Sequence, residues 1–67
     1  MNPLLAALAA KFKASGLTQR ALEKKSGHSN ASISLWLHGR CEPRLSSFEN
    51  LANSLGYDVV LVERKVE

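Results

Sequence analysis

Cysteine occurs once in this chain, at Cys41, so no disulfide within the chain can brace it. The two histidines, His28 and His38, do not stand with Cys41 at any spacing that resembles a zinc site. There is no apolar run of 18 or more residues, which excludes a membrane-spanning helix. The short apolar stretch in MNPLLAALAAKFK lacks the preceding basic residues of a signal peptide, which points to a cytoplasmic protein. Without secretion, Asn30-Ala31-Ser32 is a chance match to a glycosylation sequon. Glycine-rich phosphate loops, carboxylate pairs and nucleophile–histidine pairs at telling spacing are missing too. Nothing therefore points to an enzyme, a metal or a cofactor.

What remains is one small domain. Its 67 residues lie near the lower limit at which a chain folds alone on one core. With 45% hydrophobic and 22% charged residues, the composition is that of a globular chain, and a partner subunit would add to its stability. The net charge of +3 is unevenly spread. Residues 11–44 hold Lys11, Lys13, Arg20, Lys24, Lys25, Arg40 and Arg44 against Glu23 and Glu42, a balance of +5. Residues 45–67 hold Arg64 and Lys65 against Glu49, Asp58, Glu63 and Glu67, a balance of −2. Positive charge concentrated in the first part suits contact with phosphates, although lysine-rich helix faces are often merely solvated.

The elements can be read along the chain. Asn2-Pro3 opens a first helix with Leu5, Leu8 and Phe12 at helical spacing, ended by Ser15-Gly16. Thr18 caps a second helix over roughly 19–26, carrying Leu22 inward and closed by Gly27. Ser29 caps a third, about 30–38, with Ile33 and Trp36 inward and a stop at Gly39. Ser46 and Glu49 have the form of a capping box for a fourth, which buries Phe48, Leu51, Ala52 and Leu55 before Gly56.

Thr18 to Arg40, TQRALEKKSGHSNASISLWLHGR, is the segment with most to say about function. Two short helices meet at a tight turn. On the second, Asn30, Ala31, Ser34 and Leu35 lie away from the Ile33 and Trp36 face. Small polar and apolar side chains on an exposed helix, with arginines just beyond, suit the DNA major groove. Residues 1–56 are expected to form this DNA-binding domain, with its motif at 18–39.

The chain resembles the Cro/C1-type (XRE) helix-turn-helix family of phage and bacterial repressors. Gln19, Leu22, Gly27, Ser29, Ile33, Ser34, Trp36 and Gly39 match the family pattern. The resemblance covers residues 4–56 and is strongest over 18–44. It departs at Glu23, where the family commonly has alanine, and at Ser26 and His28, where apolar residues are usual. The resemblance implies a mainly α, lambda-repressor-like bundle of four or five helices, binding double-stranded DNA as a dimer. It also implies that Asn30, Ala31, Ser34 and Leu35 face base edges. Asn30 could then pair bidentately with adenine N6 and N7, and Leu35 or Ala31 could meet a thymine methyl. Gln19, Ser29, Ser32, Arg40 and Arg44 are the implied phosphate contacts. The plainer alternatives are a helix-start residue for Asn30, core packing for Leu35, and ordinary surface arginines for Arg40 and Arg44.

After Gly56 the period changes. Tyr57, Val59, Val60, Leu61 and Val62 read as a β-strand with two apolar faces within a C-terminal segment, 57–67. A lone strand leaves its backbone unpaired, so self-pairing with a second copy is expected; a frayed tail or packing on its own helices is the alternative. The expected function is a dimeric, sequence-specific transcriptional repressor, cytoplasmic and nucleoid-associated, reading a pseudo-palindromic operator. The alternative is an antitoxin-like interaction module that neutralises a protein partner, such as a toxin, and binds DNA secondarily.

Overall fold

Asn2 and Pro3 open helix α1 (Pro3–Ser15) in a computed structural model that describes residues 2–65. The Asn2 side chain accepts a bond from the Leu4 N–H at 2.8 Å, and Pro3 sits where a missing N–H costs nothing. Helix α2 (Gln19–Ser26) starts the same way, with Thr18 Oγ1 accepting from the Ala21 N–H at 3.1 Å. Gly27 ends it at φ 79, a left-handed conformation that costs glycine little, and its N–H donates to the Glu23 carbonyl at 2.9 Å. Ser29 then caps α3 (Asn30–Leu37) by accepting from the Ser32 N–H at 3.2 Å.

Helix α4 (Leu45–Ser54) begins two residues earlier than the Ser46/Glu49 pattern suggests. Arg44 is its N-cap, at ψ 157, and supplies no side-chain capping bond. A capping residue must lie outside the helical conformation, and Ser46 is already in the first turn. The capping box therefore does not form. At its other end Gly56 N–H donates to the Asn53 carbonyl and Tyr57 N–H to the Ala52 carbonyl, the paired bonds of a Schellman turn.

The core lies where the four helices meet. Leu5 and Leu8 come from α1, Leu22 from α2, Ile33 from α3, and Leu51 and Ala52 from α4. Leu22, Ile33 and Leu51 are fully buried, and Phe12, Trp36, Leu37, Phe48 and Leu55 pack around them partly exposed. Helix α2 packs on both α3 and α4, and α1 packs on α3. The expected helical bundle is therefore present, with four helices among the described residues.

The expected C-terminal strand is absent from the described residues. Residues 57–65 form no strand, and 66–67 of the expected 57–67 segment lie outside the described residues. A strand exists through ladder bonds to a neighbour, and the described residues contain no second strand to supply them. Tyr57 is instead held against its own chain, with Lys11 Nζ 5.6 Å from the centre of its ring. Val59 lines a depression with Leu4, Leu5, Leu45 and Phe48, while Val60, Leu61 and Val62 are open to solvent. No described helix is long and apolar enough to cross a membrane.

Candidate nucleic-acid interface

Burial of Ile33 sets the rotation of α3 and so decides which side chains it shows. Asn30, Ala31 and Leu35 are exposed, and Ser34 is half-buried. Leu35 is 43% exposed and is not part of the core cluster. Ala31, Ser34 and Leu35 share one open depression with His38 and Arg40.

Arg40 reaches that depression because of how α3 ends. Gly39, at φ 72, reverses the chain, its N–H donating to Trp36 O at 3.1 Å and the Arg40 N–H to Leu35 O at 2.9 Å. The arginine backbone is thereby pinned to the outer side of the helix. His38 is pinned as well. Its Nδ1 lies 2.8 Å from the Ser34 carbonyl, which can only accept, so Nδ1 carries the proton and Nε2 is left free.

The residues matched to phosphate contact fall into three arrangements. Gln19, at the start of α2, reaches across to the first residue of α3, where its Nε2 lies 3.1 Å from Asn30 O and 2.6 Å from Asn30 Oδ1. Two helix N-termini, with their free N–H groups and positive partial charge, are thus clasped side by side. Ser29 Oγ is occupied twice, capping α3 and donating to Ser32 Oγ at 3.0 Å, which leaves the Ser32 hydroxyl hydrogen available. Arg44 is exposed at the head of α4 and does not line the Ala31–Arg40 depression.

Behind this face, two of the three departures from the family pattern, Ser26 and His28, meet in one network. Ser26 is buried; its carbonyl accepts from Asn50 Nδ2, and its Oγ accepts from the His28 N–H at 3.3 Å. Asn50 Nδ2 also lies 3.3 Å from His28 Nε2. The Ser26 hydroxyl finds its partner locally in the His28 N–H, while Asn50 of α4 meets the His28 ring and the Ser26 carbonyl.

His38 and Asn50 are absent from the site expected from sequence. His38 had a signal, since it stands four residues after Ser34 on the same helix face. Asn50 had none, being 24 residues from Ser26.

A family model described as helix-turn-helix matches residues 8–62. The chain belongs to the Cro/C1-type (XRE) helix-turn-helix family. This is a family of DNA-binding transcriptional regulators rather than of enzymes. The helix-turn-helix match begins within α1, takes in α2 to α4 and reaches Val62. No curated protein and no solved structure matches the chain.

Proposed function

We propose that this helix-turn-helix chain is a homodimeric, sequence-specific transcriptional repressor of a pseudo-palindromic operator. In this reading residues 1–56 are the DNA-binding domain. Asn30, Ala31, Ser34 and Leu35 read bases in the major groove. Gln19, Ser29, Ser32, Arg40 and Arg44 hold phosphates, which sets register and supplies affinity. The observation that carries the reading is the outer side of α3, where a mixed polar and apolar surface lies between two helix N-termini and Arg40. Two such helices would enter successive major-groove faces about 34 Å apart. Repression follows if the operator overlaps a promoter.

The dimer contact is assigned to Tyr57, Val59, Val60, Leu61 and Val62, because exposed apolar residues with unpaired backbone invite pairing with a second copy. The same exposed residues also favour a second reading, an antitoxin-like module whose tail pairs with a different protein.

Fluorescence-anisotropy titration against DNA from upstream of the chain's own gene tests the first reading. The expected result is tight binding that resists scrambled competitor and weakens steeply with salt. Binding that scrambled DNA competes away would leave only a basic surface. Co-purification of a stoichiometric second protein would then favour the interaction module.

A further inference from the structure

The exposed His38 ring is held at the C-cap of α3. The Ser34 carbonyl accepts from its backbone N–H at 3.1 Å and from its Nδ1–H at 2.8 Å, one bond for each lone pair. A second proton on the ring can therefore go only to Nε2, which has no hydrogen-bond partner among the described residues. On one side the ring lines the depression that holds Ala31, Leu35 and Arg40; on the other it lines a second depression with Lys13 and Gln19. The charged groups that face it are thus Lys13 from α1 and Arg40 from the loop after α3, while α2 contributes the neutral Gln19. No carboxylate lines either depression. A positive charge on the ring has two cations for company and gains an anion only when one arrives from outside.

The first residues of a recognition helix meet base edges, whereas its far end lies towards the sugar-phosphate backbone. We propose, resting on the DNA-binding function above, that His38 is a proton-dependent phosphate contact: Nε2 takes up a proton as a DNA phosphate docks beside it. Affinity for DNA is thereby tied to pH. The direction follows from the two forms of the ring. An imidazole takes its second proton at about pH 6.5, within reach of ordinary cellular conditions. In acid, Nε2–H donates to the phosphate with a full charge behind it. In base, Nε2 presents a lone pair, which a phosphate oxygen cannot bond. Binding is therefore tighter at low pH and weakens as pH rises. Because a phosphate is the same at every step of the duplex, the effect is independent of sequence.

Fluorescence anisotropy of wild type, His38→Gln and His38→Lys at about pH 5.5 and about pH 8, on either side of the imidazole range, tests this. Each is titrated against DNA from upstream of the chain's own gene and against a scrambled duplex. Circular dichroism at both pH values establishes that each protein is folded. His28 is present in all three, so any pH effect it has is common to them. The wild type is expected to bind both duplexes about tenfold more tightly at the lower pH, the scale of one charge-assisted hydrogen bond. Its slope of log affinity against log salt should steepen there by about 0.9, the mark of one further phosphate neutralised. His38→Gln should lose most of both changes. His38→Lys, charged throughout, should bind tightly at both pH values. A pH dependence of wild type that His38→Gln reproduces overturns the proposal. So does one confined to a single duplex, which would place the ring on a base. Failure of the folded wild type to bind either duplex removes DNA binding itself and the proposal with it. Tight binding that ignores pH is a distinct result and removes the proposal alone.

Discussion

The His28 ring meets the indole of Trp36 edge-on, with ring centres 5.1 Å apart and planes at 82°. This is the favourable arrangement of two aromatic quadrupoles, and it lets a polar residue fill an apolar position beside the turn. Asn50 completes the arrangement from α4 by donating to the Ser26 carbonyl. Asn50→Ala leaves that half-buried carbonyl without its partner and should cost about 1–3 kcal/mol. Urea denaturation is the measurement; a midpoint equal to that of wild type would show that the network adds nothing to stability.

Ile33→Ala should be far more damaging. Ile33 is fully buried between the other helices, and removing such a side chain costs about 2–5 kcal/mol. A domain of this size has a total stability of about 3–10 kcal/mol, so the variant should be largely unfolded at 37 °C. Retention of full helical circular dichroism at that temperature would contradict the placement of α3.

Gly27→Ala separates backbone strain from crowding. A methyl group at Gly27 would meet nothing within 4 Å, yet φ is +79, so the expected loss of about 1–2 kcal/mol is conformational alone. A synthetic chain with D-alanine at position 27 should recover wild-type stability. If both variants melt together below wild type, crowding at the turn is the cause instead.

Phosphate and base contacts should separate in binding experiments. Arg44→Ala is expected to weaken all DNA sequences about equally and to lower the slope of log affinity against log salt by about one. Asn30→Ala should leave that slope alone and relax discrimination at a single base pair. A sequence-selective effect of Arg44→Ala would move Arg44 from the backbone to a groove.

Truncation after Gly56 keeps every buried core residue and removes Tyr57 to Val62. The shortened chain should remain helical, sediment as a monomer and bind its operator weakly. Should it sediment as a dimer, the contact between copies lies on the helices.

The helices were legible because their causes are local. Asn2, Thr18 and Ser29 cap α1, α2 and α3 as their types and positions suggest, and Leu22, Ile33 and Leu51 point inward at the spacing the pattern demands. The start of α4 is not legible in this way, because Arg44 caps it without any side-chain bond and so leaves no signature.

The sequence by itself determined the four helices, the tandem pair at 18–39, and which side of α3 would be exposed, since caps and periodicity act within a few residues. Only the tertiary structure decided that Gln19 clasps Asn30, that Asn50 supports Ser26 beside His28, and that Gly39 brings Arg40 to the outer side of α3. The two side-chain meetings span 11 and 24 residues and depend on how helices cross, which no local pattern records. The tail after Gly56 marks the same boundary from the other side. Its β-branched residues suit a strand, but a strand also needs a partner's backbone, and the described residues of one chain provide none.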